Sequence, residues 1–125
     1  LDEAVRVGHR IAIMRDGEVV QIGTPEQIVV NPSDEYVADF VKGISRLKVV
    51  QAKTIMQSIE EYKKTFGDNL SNNERVNEND ILSKLIETSV SEDKPIIVTN
   101  NDNLEVGIIT QSDLLKAVVE GNDSE

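Results

Sequence analysis

Apolar and polar residues alternate along Arg10-Ile-Ala-Ile-Met-Arg15 and again along Glu18-Val-Val-Gln-Ile22, with Asp16-Gly17 between the two runs. A period of two on both sides of an Asp-Gly pair predicts a β-hairpin, because that pair readily takes the left-handed backbone of a tight hairpin turn. Gly23 stops the second strand. Thr24 at the N-cap, Pro25 at the first helical position and Gln27 three residues past the cap then predict a capping-box start to a short helix running to about Val30, ended by Asn31-Pro32. Ser33 or Asp34 begins a second helix, in which Tyr36, Val37, Phe40 and Val41 recur at helical spacing and require burial. The opening, Leu1-Asp-Glu-Ala4, reads as helix, which places Gly8-His9 at a helix–strand junction. A start on Leu rather than Met suggests a piece of a longer chain.

After Gly43 the periodicity lapses, and Ile44 to Val50 reads as a partly extended connector. A helix is expected from Ser58 to Phe66 with Ile59, Tyr62 and Phe66 on one face, followed by a polar loop over Gly67 to Glu74. Asn77 or Asn79 can cap a helix carrying Ile81, Leu82, Leu85 and Ile86. Pro95 to Thr99 is a short buried strand, Asn100 to Asn103 a turn, and Leu104 to Thr110 the paired strand. Ser112 caps a last helix whose Leu114, Leu115, Val118 and Val119 repeat the earlier spacing, so both helices can cover one face of the hairpin. The predicted fold is α+β: a hairpin with helices over 1–43, a linker over 44–50, an α-β-β-α unit over 51–121 and an acidic tail over 122–125.

Composition narrows the chemistry. The chain has 125 residues and a formal charge of -10, enough for one or two small domains and unsuited to phosphate backbones without a basic patch, which is not found. Residues 1–50 hold 6 basic and 8 acidic side chains and residues 51–125 hold 7 and 15, so the charge is concentrated in the second part. With no Cys and His9 as the one histidine, thiol nucleophiles and Cys/His zinc sites lose their raw material. Glu92, Asp93 and Asp102 lack the spacing of a calcium loop and read as solvated acidic surface. The longest apolar runs are too short to span a membrane, and a cytoplasmic location is expected.

Two resemblances sharpen this reading. Leu1-Asp-Glu-Ala4, Asp16-Gly17 and Gln21-Ile-Gly-Thr-Pro-Glu26 together resemble the end of the nucleotide-binding domain of ABC transporters, downstream of its switch histidine. The continuation through Asn31-Pro32, Glu35-Tyr-Val37, Phe40-Val41 and Ile44 to Ala52-Lys-Thr-Ile-Met56 is similar, more narrowly, to the ATPase subunits of glycine betaine/proline and other quaternary-amine importers. That resemblance implies a peripheral subunit at the inner face of the membrane, working with a membrane-spanning partner. It also implies that this stretch, without Walker A, signature and Walker B motifs, does not hydrolyse ATP by itself; His9 stands in the wrong context to be the switch histidine.

Val106-Gly-Ile-Ile-Thr110-Gln-Ser-Asp113-Leu114 is similar to the closing strand-turn-helix motif of cystathionine-β-synthase (CBS) domains, which such subunits commonly carry in pairs. The resemblance implies that Thr110 and Asp113 hold the ribose or phosphate of an adenine nucleotide such as ATP, AMP or cyclic di-AMP. Ile97 on the adjacent strand and Ile55-Met56 would wall the base. One complete repeat is visible, so two chains would supply one each, implying a homodimer. Three roles stay open: nucleotide sensing, ionic-strength sensing by the acidic region, and simple dimerisation of the ATPase subunit. A plain structural account of Thr110 and Asp113 also stands, with the threonine ending a strand and the aspartate favourably placed in the first turn of a helix.

Overall fold

The computed structural model describes residues 3–90 and 94–120, which fall into two units divided between Val49 and Val50. Leu1 and Asp2, the Glu92-Asp93 pair and the acidic tail lie outside the described residues. Both units mix helices with a sheet.

The first unit is built on a three-stranded antiparallel sheet, β1 (Glu3–Val7), β2 (Arg10–Arg15) and β3 (Glu18–Gly23), in that order. The hairpin forms as its alternation demands: Asp16 and Gly17 both have positive φ, 52° and 82°, the backbone that matches the twist of the flanking strands. The opening segment departs from the expected helix. It is the strand β1, paired to β2 from Glu3↔Met14 to Val7↔Arg10, and His9 follows Gly8 in a strand–strand turn with φ +64° at the glycine. Alternation of Ala4, Val5, Arg6 and Val7 suits an edge strand as well as a helix, and the neighbouring ladder decides.

Helix α1 (Pro25–Val30) starts on the predicted box: Gln27 N donates to Thr24 Oγ1 at 3.2 Å and Thr24 N donates to Gln27 Oε1 at 2.9 Å. Asp34 caps α2 (Glu35–Phe40), accepting from Val37 N at 2.9 Å. Gln21 fastens the turn between them, donating to Asn31 O and accepting from Ser33 N. Ile13, Ile28, Val37 and Val41 form the buried core. Tyr36 packs beside it, donates to Met14 O at 3.1 Å and lies under the Arg15 guanidinium, 4.7 Å from its ring centre. Within the connector, expected to be partly extended, Arg46–Val49 form one turn of helix, α3.

The second unit is a four-stranded sheet flanked by helices. Its elements are α4 (Ala52–Ile55), β4 (Gln57–Ser58), α5 (Ile59–Phe66), β5 (Arg75–Asn77), α6 (Leu82–Val90), β6 (Ile96–Thr99), β7 (Glu105–Ile109) and α7 (Gln111–Glu120). The strand order is β4-β7-β6-β5, with β5 parallel to β6 and the other pairs antiparallel. The α-β-β-α expectation is therefore recovered as α6-β6-β7-α7, while the short strands β4 and β5 escaped it. They contribute five residues, of which Val76 alone is buried, and so carry no readable alternation.

Every residue of β6 is buried, and the hydroxyl of Thr99 donates to Val76 O at 3.2 Å, which satisfies the buried polar group. Asn100 turns the chain into β7 by accepting from Asp102 N and Leu104 N. Asn77 shapes the turn before α6 by accepting from Asn79 N, rather than capping the helix. Backbone bonds from Ala52 N to Asp80 O, Lys53 N to Glu78 O and Leu82 N to Val50 O tie the start of the unit to the approach to α6. Two predicted faces need correction. Phe66 is exposed, because α5 buries only its first turn through Ile59, and α7 buries Leu114 and Ala117 while Leu115, Val118 and Val119 face outward. Among the described residues no helix is long and apolar enough to cross a membrane.

Candidate functional site

β7 runs directly into α7 through Thr110, and the junction is closed by a reciprocal pair of bonds. Asp113 N donates to Thr110 Oγ1 at 3.1 Å, and Thr110 N donates to Asp113 Oδ2 at 2.9 Å. The cap is thus Thr110, not Ser112, and Asp113 completes the box from the third helical position, where a carboxylate also favours the helix dipole. Gln57 Nε2 adds a third bond to Asp113 Oδ2, at 2.8 Å, and so fastens β4 to the start of α7. Removing the hydroxyl in Thr110→Ala is expected to cost about 1 kcal/mol, read from the urea midpoint of this unit, whereas Thr110→Ser is expected to be nearly silent.

Beside the box lies an open cleft of about 260 Å³, lined by Thr54 and Ile55 of α4 and by Asp113, Lys116 and Ala117 of α7. Of the residues proposed from the sequence, Asp113 and Ile55 meet there, with Thr110 joined through the box. Met56 follows Ile55 and packs over Gly107 of β7, where a Cβ would strike its sulfur. Ile97 does not join them. Strand alternation puts it with Ile108 on the other face of the sheet, where both pack on Ile59 and where Ile97 is 1% exposed. Gln57 and Lys116 are the residues that the sequence did not single out. Lys116 was within reach, since it stands three positions after Asp113 and so on the same helical face. Gln57 was not, because its partner is 56 positions away.

A second polar cluster lies at the start of β7. Glu105 Oε2 accepts from Arg75 Nη1 at 2.7 Å and Glu105 Oε1 from Lys63 Nζ at 3.4 Å. The hydrogen bond from Arg75 holds the Glu105 carboxyl below its ordinary value of 4.5 against some desolvation, with Lys63 assisting. A lowered carboxyl stabilises the fold fully above the unfolded value and loses that contribution as pH falls through the folded one. Acidification from about pH 6 to about pH 3 is therefore expected to lower the urea midpoint less in Glu105→Gln than in the wild type. Among the described residues no group of His, Cys, Asp and Glu could hold a metal ion.

Relatives of the chain are plain. It is 36% identical over 94% of its length to the trimethylamine N-oxide transport system ATP-binding protein TmoW of Pelagibacter ubique. It is 55% identical over 48% of its length to the glycine betaine transport ATP-binding protein OpuAA of Bacillus subtilis, and 54% over 44% to the glycine betaine/proline betaine transport system ATP-binding protein ProV of Escherichia coli. The chain is homologous to the C-terminal part of these ATP-binding subunits. It spans 32% of the length of the TmoW protein and 14% of OpuAA and of ProV. No protein-family model and no solved structure matches it. Because the TmoW match covers 94% of the chain, the homology extends into both structural units.

Proposed function

We propose that the chain is the C-terminal region of the ATP-binding subunit of an ABC importer for glycine betaine or a similar methylated amine. In this reading residues 50–125 are a CBS-like regulatory unit that tunes transport to an adenine nucleotide or to ionic strength. The observation that carries the assignment to such a subunit is the TmoW match over 94% of the chain, and the α6-β6-β7-α7 succession supports the CBS-like part. ATP hydrolysis and contact with the membrane subunit then belong to the whole subunit rather than to this region. The cleft beside the Thr110–Asp113 box supplies the chemistry for a nucleotide: Lys116 offers a cation for phosphate, and Ile55 and Ala117 offer apolar wall. The side-chain oxygens of Thr110 and Asp113 already serve α7, so a ligand would be met by their remaining lone pairs and by Lys116.

Calorimetric titration of the chain with ATP, AMP and cyclic di-AMP at low and high salt tests the nucleotide arm. Saturable heat is expected from at least one of them, lost in Lys116→Glu, which leaves the capping box intact. No heat from any of the three would remove this arm. The outward face of α7 favours a second reading, a dimerisation unit with no ligand, since Leu115, Val118 and Val119 stand exposed beside one another. On that reading light scattering at tens of micromolar gives a dimer that Leu115→Asp converts to monomer.

A further inference from the structure

The two carboxylate oxygens of Asp113 are used unequally. Oδ2 accepts from Thr110 N at 2.9 Å and from Gln57 Nε2 at 2.8 Å, while Oδ1 takes no hydrogen bond from a described residue. Asp113 also lines the cleft of about 260 Å³ between α4 and α7. The bond from Thr110 N is what a capped helix requires, and together with Asp113 N on Thr110 Oγ1 it completes the box. The bond from Gln57 is surplus to that requirement. It is surplus to the sheet as well, because β4 already pairs with β7 through Gln57↔Ile108 and Ser58↔Gly107, and Met56 N on Ala52 O holds the backbone just before it. What the second donor adds is direction. A carboxylate held by one donor can still turn about its last side-chain torsion, whereas two donors from different elements on the same oxygen fix its plane, and with it the direction of the free oxygen.

We propose that Gln57 is a positioning residue for this cleft: it pins one oxygen of Asp113 so that the other accepts from a sugar hydroxyl, which makes the cleft selective for nucleotides with an intact ribose diol. The chemistry of the lining divides the ligand accordingly. A carboxylate oxygen accepts from a hydroxyl and repels a phosphate, so the sugar belongs at Asp113 and the phosphate at Lys116. A site arranged to hydrogen-bond a hydroxyl discriminates against an analogue that lacks it, since the acceptor is then left unpaired. Preorganisation decides how much of that preference is realised, because an acceptor already fixed in direction loses less freedom when the ligand arrives. Gln57 does this from β4, 56 positions away in the chain, and so also links the occupied cleft to the edge of the sheet. The inference rests on the nucleotide reading of the cleft and adds the residue that sets its sugar preference.

Calorimetric titration of the 125-residue chain with ATP, AMP and their 2′,3′-dideoxy analogues tests it. Wild type is expected to bind at least one ribonucleotide roughly tenfold more tightly than its dideoxy analogue, the worth of one hydrogen bond to a carboxylate in an open cleft. Gln57→Met keeps the length of the side chain and removes the donor, and its preference is expected to fall to about twofold or less. Gln57→Lys restores an N–H donor and is expected to recover the preference. Gln57→Glu, which also lacks the donor, repeats the measurement should the methionine variant fold poorly. A merely structural bond gives a different result: Gln57→Met then weakens ribo- and dideoxynucleotide alike and leaves their ratio unchanged, which overturns the inference while nucleotide binding stands. A wild-type ratio near one overturns it in the same way. Absence of saturable heat from both ATP and AMP overturns it too, and cyclic di-AMP titrated alongside shows whether the nucleotide reading falls with it.

Discussion

Gly107→Val is expected to abolish cooperative folding of the second unit, and Gly107→Ala to cost it about 2–3 kcal/mol. Ordinary propensity predicts the opposite sign for the alanine, because replacing a strand glycine reduces the freedom of the unfolded chain and usually stabilises by about 0.4–1 kcal/mol. The difference is Met56. A Cβ on Gly107 would collide with the Met56 sulfur and stand 2.7 Å from its Cγ and 2.9 Å from its Cβ. Swinging the thioether away relieves the first two contacts but not the third, which is fixed by the backbone of the turn after α4. That backbone is itself tied down, since Met56 N donates to Ala52 O and Ala52 N to Asp80 O. The clash therefore transmits to the segment that closes the unit. Urea titration followed by the amide resonances of β6 and β7 reads the effect. Combining Gly107→Ala with Met56→Ala is expected to restore part of the loss, because the sulfur and Cγ are gone while Cβ stays. A stability of Gly107→Ala within about 0.5 kcal/mol of wild type would show that the close approach carries no energy.

Met56 and Gly107 also show why part of this fold was not legible in advance. The Asp16-Gly17 hairpin, the Thr24–Gln27 box and the α6-β6-β7-α7 succession are local: each is decided by residues within a few positions of one another, and their patterns predict what forms. The misread parts are those settled by distant partners. Glu3 and Ala4 suggested helix until β2 offered a ladder, and within the partly extended connector expected over Ile44 to Val50 one helical turn forms at Arg46–Val49. Strands β4 and β5 owe their existence to β7 and β6, not to their own composition. The same division runs through the candidate site. Thr110 and Asp113, three residues apart, were readable as a pair, while Gln57 and Ile97 required knowledge of which strand faces which helix.

That pair also bears on how function is argued from such a phrase. A threonine ending a strand and an aspartate three residues into the next helix satisfy each other's backbone donors here without any ligand. The sequence signal that suggested ribose or phosphate binding is thus equally the signal of a well-capped helix, and the two cannot be separated by mutating Thr110 or Asp113 to alanine, since either change loosens the start of α7. Lys116 separates them. It lines the cleft but takes no part in the box, so a charge reversal there reports on a ligand while sparing the fold.

The same contrast between pattern and placement governs the second large effect. Ile108→Ala is expected to cost about 3–4 kcal/mol, because the side chain is fully buried in β7 between Ile59 and Ile97 and its removal leaves a cavity that a strand held on both sides cannot collapse. A unit of this size holds only about 4–11 kcal/mol in total, so the variant is expected to lose at least about a quarter of its urea midpoint, and nearly all of it at the low end of that range. Leu115→Ala removes a similar volume from a residue of the predicted apolar stripe, yet Leu115 is 67% exposed, and the expected change is within about 0.5 kcal/mol. Leu114→Ala, one position earlier and 5% exposed, is expected to fall near the Ile108 value. The three variants measured at low micromolar concentration separate core from surface. Raising the concentration adds a second reading. If Leu115, Val118 and Val119 are covered by another copy of the chain, the stability of wild type rises with concentration while that of Leu115→Ala does not, since self-association stabilises only the species that carries the contact.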